Sequence, residues 1–347
     1  MNCFEYYMLV HTGCSLFVAL LSSFVLALMI VPVMRKIAWH FNILDIPDGS
    51  VKKHKQPTPY LGGVAVYLVC LIPLICASFY YSKAIYLLGG CTILVIVGLI
   101  DDLLILSPCQ KFLGQFFAVV IFLMGGWSCN SNLLGITFSA LWILTIINAF
   151  NLIDVMDGLA SLVAVCSAFG FMFVGLNSLL HHTSTNLFLL PLSAVFIGAV
   201  LGFFMYNKPP ATIYLGDTGS LFIGGLLGAL SLQIGLQNQG FIQYSIPVIL
   251  LSIPLLELMT LIVIRTAKVI PFYKASPHHF SILLRNNGWS KNGILIYVTA
   301  MSFFTGLSAY LYVTGWLHLI TVAFLGLIFL IIWFYLLLKP FSCAQSL

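Results

Sequence analysis

Apolar runs of membrane-spanning length follow one another along nearly the whole chain and leave little room for anything else. About 20 apolar residues carry a helix across the hydrocarbon core. Runs of this kind cover about 14–34, 61–81, 84–104, 112–127, 133–150, 158–179, 187–206, 220–237, 243–264, 293–313 and 318–338 of the 347 residues. The sequence therefore predicts an all-α integral membrane protein, a polytopic bundle of about 10–11 transmembrane helices with residues 1–347 as a single domain. The fourth run is short and the connection at 82–83 is tight, which sets that range. The longest polar connections, about 37–60 and 265–292, are loops rather than soluble domains. Glu5 precedes the first run and a basic leader is lacking, so this run is expected to stay as a helix rather than be cleaved as a signal.

Charged residues make up 7% of the chain, and their placement is one-sided. With eleven spans and the N-terminus outside, every lysine and arginine except Lys83 falls inside, as the excess of basic residues in cytoplasmic loops requires. Asp45, Asp48, Asp101, Asp102, Asp154, Asp157 and Asp217 all lie where an apolar run begins or ends, on that same side. The net charge of +5 follows from this bias. There is no basic domain or aromatic–basic alternation of the kind that nucleic acids require. The nine cysteines are scattered without a C-x-x-C spacing, which argues for apolar packing rather than zinc or a disulfide framework.

Five clusters at the inner edge carry the chemistry. The loop DIPDGSVKKHKQPTPYLGG, Asp45 to Gly63, is dense in lysine around His54 and Lys55; its prolines stiffen it, and Gly62–Gly63 permits close backbone approach. Such a loop suits phosphate oxygens, or anionic lipid headgroups. GLIDDLL ends the third run with Asp101 and Asp102, which point about 100° apart on a helix and so rarely share a role. In NAFNLIDVMDGLA, Asn148, Asn151, Asp154 and Asp157 recur every three residues. They face one ligand only if the helix ends among them, and Gly158 supports such an end. Amide and carboxylate oxygens of this kind suit Mg²⁺ and a nucleotide; the competing reading is interhelical polar packing. YLGDTGS places Asp217 just before the eighth run, where Thr218 or Ser220 would cap the helix and its N–H groups would favour an anion. The last loop, YKASPHHFSILLRNNGWSK, sets His278 and His279 among basic residues, an arrangement suited to phosphate. His181–His182 falls on the outer side and is assigned no function. Glu257 lies inside the ninth run, about 12 Å along a helix from Arg265. It either lines a lipid groove or locks helices together.

Together these clusters resemble the polyprenyl-phosphate N-acetylhexosamine-1-phosphate transferases, over roughly Asp45 to Lys291. The matching pieces are Lys52–His54 with Pro57-Thr58-Pro59 and Gly62-Gly63, the Asp101-Asp102 pair, Asn148 to Ala160, Gly216 to Ser220, and His278-His279, with Lys111 and Gln115 fitting the segment after the aspartate pair. The resemblance implies attack of undecaprenyl phosphate on a UDP-N-acetylhexosamine, with Mg²⁺ (or Mn²⁺) required and UMP released. It implies Asp217 as the metal ligand and Asp101 acting on the lipid phosphate. Asp102 would assist the metal and lysine network, and His54 and Lys55 would contact phosphate. Asn148, Asn151, Asp154, Asp157 and Lys111 would bind substrate, and His278 and His279 would support the diphosphate or sugar. SPHHFS lacks the third histidine and the acid of the pentapeptide-transferring peptidoglycan branch, and Arg265 is like the simpler GlcNAc-type branch. The resemblance thus favours a GlcNAc-1-phosphate transferase that starts a surface glycan such as O-antigen. The implied setting is the bacterial inner membrane, with the active site on the cytoplasmic face, membrane lipids around it and a homodimer as the assembly. A transporter is the non-enzyme alternative, but it would place its ionisable groups nearer the midplane.

Overall fold

The structure, a computed structural model, describes residues 3–46, 57–180, 189–236, 242–271 and 276–338. Its helices are α1 (Cys3–His40), α2 (Gly62–Ser78), α3 (Ser82–Leu104), α4 (Pro108–Met124), α5 (Leu133–Ile153), α6 (Leu159–Leu180) and α7 (Leu189–Asn207). They continue with α8 (Gly216–Leu236), α9 (Ile242–Leu250), α10 (Ser252–Ala267), α11 (Phe280–Asn286), α12 (Lys291–Val313) and α13 (Leu319–Leu338). Two short strands, β1 (Leu44–Asp45) and β2 (Thr58–Pro59), pair antiparallel.

The eleven apolar runs map onto α1 to α8, the α9–α10 pair, α12 and α13. Among the described residues seven helices are long and apolar enough to cross a membrane, or eight with the bent pair counted as one span. The sequence expectation of ten or eleven is larger by α2 and α4, which are only 17 residues each, and by α8, which is not among those candidate spans. The protein is a multi-pass, all-α membrane protein.

The ninth run is not the straight span the sequence predicts. It breaks at Leu251 into α9 and α10, bent by 77°. The cause is local: Pro254 has no N–H to give the carbonyl of Leu250, four residues earlier. The hydroxyl of Ser167 on α6 donates to that carbonyl at 2.9 Å. A freed carbonyl in an apolar interior is costly unless a neighbour pairs it.

Helix α8 runs through the middle, packed against α2, α3, α5, α6 and α9. Leu221, Phe222, Leu226 and Leu230 are fully buried. A Cβ at Gly224 would come within 2.6 Å of the Ile147 Cα, so only glycine lets α8 lie this close to α5. Helices α3 and α8 run in opposite directions: Asp102, near the end of α3, bonds the start of α8, and Gln233, near the end of α8, bonds Gly126 beside the start of α3.

Candidate active site

Four helix ends meet at one edge of the bundle. Helix α4 begins with a capping box, in which Ser107 and Gln110 bond each other's backbone, and with Pro108 at its first position. These fix the first turn, which carries Lys111. Its ammonium lies 2.8 Å from Asp101 on α3 and 2.9 Å from Asp217 on α8. It also donates to Asn151 on α5 at 3.2 Å. Asn151 in turn donates to Asp217 and, at 3.0 Å, to Ser220. Asp101 is buried and also accepts from the Leu106 backbone at 2.7 Å, which fastens the turn after α3.

The two adjacent aspartates have different roles, as their 100° separation predicts. The partner of the lysine is Asp101, and Asp102 stands outside that network. Asp102 accepts from the backbone N–H of Asp217 (2.8 Å) and Thr218 (3.1 Å) and from the Thr218 hydroxyl (2.7 Å). It is the N-terminal cap of α8, supplied from another helix. This corrects two expectations. Helix α8 begins at Gly216, so Thr218 and Ser220 lie inside it and cap nothing. The N–H groups of Asp217 and Thr218 are already paired, so they are not free for an anion. The joint is tight: a Cβ at Gly98 would fall 2.4 Å from the Thr218 Cα, and one at Gly63 would fall 2.1 Å from the Gly219 nitrogen.

The Asn–Asp series is dispersed. Helix α5 ends at Ile153, between Asn151 and Asp154 and earlier than Gly158. Asn148, one turn deeper, exchanges amide bonds with Gln115 on α4 (2.9 and 3.5 Å) and donates to its own helix, which takes it out of the acidic centre. Asp157 pairs with Lys291 at the start of α12, 2.7 Å away. Asp154 follows the end of α5. Burial, then the charges of Asp217, Asp102 and Asp157, push its carboxyl up to about 8.

The Pro-Thr-Pro-Tyr-Leu-Gly-Gly segment lies alongside the chain leading into α8. Tyr214 donates to Pro59 at 2.8 Å, and Gly62 and Gly63 donate to Tyr214 and Leu215 at 3.1 and 2.9 Å. This lays β2 beside the start of α8. His54 and Lys55, with Lys52 and Asp48, lie outside the described residues.

The histidine loop is anchored by the deep carboxylate. Glu257 is buried and 2.9 Å from His279 Nδ1, and it accepts from the Phe280 backbone N–H through both oxygens, at 3.3 and 3.2 Å. It therefore locks structure together, the second of the two roles open to it from sequence. His278 faces away from this pair: its Nε2 lies 2.7 Å from the Lys268 ammonium, and its Nδ1 is buried without a partner among the described residues. Burial, followed by the positive Lys268 and Arg265, holds the His278 imidazole below its ordinary range. Phe280 stacks on Trp333 of α13 with ring centres 3.7 Å apart.

Among the described residues no three His, Cys, Asp or Glu side chains converge as a metal cage. The donor set still suits one kind of cation. Mg²⁺ keeps several waters and takes one or two carboxylates plus substrate phosphates rather than an all-protein cage. Asp217 and Asp154 are carboxylates whose charges already press on one another.

Residues 84–235 match the sequence model of a family described as Glycosyl transferase family 4. The chain is 28% identical over 330 residues to a probable undecaprenyl-phosphate N-acetylglucosaminyl 1-phosphate transferase of Bacillus subtilis, covering 90% of this chain and 89% of that one. It is 34% identical over 205 residues to a decaprenyl-phosphate N-acetylglucosaminephosphotransferase of Mycolicibacterium smegmatis, about half of each chain (51% and 50%). A phospho-N-acetylmuramoyl-pentapeptide-transferase of Staphylococcus haemolyticus is 30% identical over 317 residues, 79% of this chain and 90% of the relative. The chain belongs to glycosyl transferase family 4. It is an enzyme, and a transferase.

In this family 4 transferase, sequence reasoning missed three participants in the network. Lys291, in sequence an inner-side charge, directly follows the helix-capping Ser290 and pairs with Asp157. Ser220, one of two cap candidates in sequence, accepts from Asn151 inside α8. Asn207 was not singled out; it is buried, accepts from the Gly158 N–H at 2.9 Å and donates to the Ile213 carbonyl at 3.0 Å, so it buckles the α5–α6 turn to the chain before α8.

Proposed function

We propose that this enzyme transfers N-acetylglucosamine 1-phosphate from its UDP derivative to undecaprenyl phosphate, at the cytoplasmic face of a bacterial inner membrane, and so starts a lipid-linked envelope glycan. The observation that carries the reading is the joining of Asp101, Lys111, Asn151 and Asp217, from four different helices, at one edge of the bundle. An enzyme joining two phosphates must overcome their mutual repulsion, and positioned cations and donors do this. A phosphate oxygen of the lipid attacks the β-phosphorus of the donor. A new P–O bond forms, the bond from that phosphorus to the bridging oxygen breaks, and UMP leaves with the electron pair.

Lys111 is held between two carboxylates, so its ammonium can move from a carboxylate oxygen to a phosphate oxygen without travelling far. Asp101 keeps it in place on one side. Asp102 fixes the start of α8 and thereby the direction of Asp217. Asn151 holds the second oxygen of Asp217. Asp157, with Lys291, and the neighbouring Asp154 border the place proposed for the nucleotide end. His278 and His279 are proposed to lie toward the diphosphate or sugar, and His54 and Lys55 toward phosphate. Asp217 would hold Mg²⁺, with Asp154 as the second carboxylate within reach of its charge. When bound, the cation supplies neutralisation of phosphate oxygens in the transfer.

The relatives named for the pentapeptide reaction make the donor the point to test. Purified protein with Mg²⁺, undecaprenyl phosphate and a panel of UDP-sugars, read by UMP release, decides it. Release with UDP-GlcNAc and none with the UDP-muramoyl-pentapeptide is the expected result. Release with the pentapeptide donor alone moves the enzyme to peptidoglycan synthesis, and release with no donor overturns the proposal.

A further inference from the structure

The Glu257 carboxylate lies in the apolar part of α10, yet it is only 2% exposed and serves residues 22 and 23 positions further along the chain. The Phe280 N–H can only donate, and it is shared between both carboxylate oxygens. An ionised carboxylate can only accept, so in that form of Glu257 the proton between it and His279 belongs to Nδ1. Such a contact fixes which ring nitrogen carries the proton and which way the ring faces. The other nitrogen, Nε2, has no partner among the described residues.

The same carboxylate orders the backbone. His279 directly precedes α11 and has no side-chain bond to that helix of its own. Glu257 takes up the first helical N–H in its place, as a capping residue does. Trp333 of α13 closes the other side: it stacks on Phe280, and its indole N–H donates to Thr260 of α10 at 3.0 Å, one turn from Glu257. Ser276, at the start of the loop, is held by Arg265 at 3.0 Å. One helix thus grips the histidine loop at both ends, with Glu257 holding the histidine itself. Beyond α11, the chain enters α12 at Lys291, which is bonded to Asp157. The loop therefore joins Glu257 to the acidic edge.

We infer that Glu257 is a positioning residue for the transferase reaction: it holds His279 with the proton on Nδ1, so that Nε2 is the nitrogen turned toward the bound diphosphate or sugar. The inference rests on the proposed transferase reading, which places His279 at the substrate. With Nδ1 held by Glu257, Nε2 is the ring nitrogen left to meet a polar group of the bound substrate.

A double-mutant cycle tests it. Gln at position 257 keeps an oxygen acceptor for the Phe280 N–H but loses the charge and the fixed acceptor for Nδ1. Glu257→Gln is expected to lower kcat by about 10- to 100-fold, as loss of such an orienting partner does, with a smaller effect on KM, and Glu257→Asp is expected to recover part of the loss. In a His279→Gln background, Glu257→Gln is expected to change kcat by less than about twofold, because the group it acts through is gone. An equal cost in both backgrounds, or wild-type kcat in Glu257→Gln, overturns the inference. ¹⁵N spectra of histidine-labelled wild-type protein, with His279 assigned from the His279→Gln spectrum, judge the geometry without any turnover. A proton kept on Nδ1 across the neutral pH range supports it, and a neutral ring protonated on Nε2 overturns it. If the wild type releases UMP from no donor, the transferase reading fails while the spectra still decide the geometry.

Discussion

The two ends of helices α3 and α8 use polar side chains in opposite ways. At the end with Lys83 and Gln233, polar side chains serve the backbone. The Trp127 indole donates to the Lys83 carbonyl at 2.9 Å, Gln233 donates to Gly126 at 3.2 Å, and Asn132 caps α5 through Gly135 at 2.7 Å. The Asn132 bond pairs an N–H that the start of α5 would otherwise leave open, and the other two fasten the turn after α4 to the start of α3 and the end of α8. At the other end, roughly 27 Å away by the rise of an 18-residue helix, charged side chains from three helices and the Asn151 amide from a fourth bond each other. A bundle needs the first kind of contact to fold. The second kind brings like charges together at a cost in stability and is expected where substrate or cation restores the balance.

The largest effect expected from breaking this contrast is at Asp217. Asp217→Asn keeps the size of the side chain and removes the charge to which Lys111 and Asn151 both point. UMP release is expected to fall by about 10³-fold or more, on the scale of losing a principal electrostatic group of a site, while the protein still elutes from detergent as a folded species. Wild-type rates in this variant would end the proposed role of Asp217.

Lys111→Met comes next and differs in kind, because it strikes stability as well. The substitution leaves Asp101 and Asp217 facing one another without their cation. Removing one partner of a buried ion pair costs about 3–5 kcal/mol, discounted here because Lys111 is 17% exposed. A lower thermal unfolding temperature, partly restored by Mg²⁺, is expected together with about 100-fold slower transfer. An unfolding temperature equal to that of the wild type would mean that the lysine is not the cation holding the acids together.

Asp154 turns the comparison into a pH dependence. Its carboxyl is raised from 3.8 to about 8, so the folded state favours the protonated form. Its stabilising contribution is complete below the unfolded value and is lost as pH rises through about 8. Metal-free protein is therefore expected to lose thermal stability across that window, and Asp154→Asn to make the decline shallower while slowing transfer. An unchanged slope in the variant would show that Asp154 carries no burden of neighbouring charge.

The acidic edge was legible in sequence for a simple physical reason. A carboxylate next to an apolar run is expensive, so Asp101, Asp102, Asp154, Asp157 and Asp217 stand out without any knowledge of the fold. Their partners were not legible, because partnership is tertiary. Nothing local says that Asp102 will cap a helix 115 residues away, that Asn148 will turn to Gln115, or that Glu257 will hold a histidine 22 residues later across a loop. The break at Leu251 had a local signal in Pro254, but its tolerance depends on Ser167 from another helix. The length of the apolar runs located the helices, whereas their bends and caps depended on which neighbours arrived.

The smallest effect tests the opposite edge. Trp127 is buried, and its indole N–H is bonded to the Lys83 carbonyl. Trp127→Phe removes that donor and unfastens the turn after α4 from the start of α3. One such bond contributes about 1 kcal/mol. The expected result is a small fall in unfolding temperature with kcat and KM unchanged, read by thermal unfolding and UMP release on the same preparation. Because α3 runs from Lys83 to the aspartate pair, a measurable loss of kcat here would mean that strain travels the length of that helix to Asp102 and the start of α8. The two ends would then work as one rigid unit, and the division between folding contacts and working contacts would no longer hold. An unchanged kcat keeps them separate and places the chemistry at the aspartate edge alone.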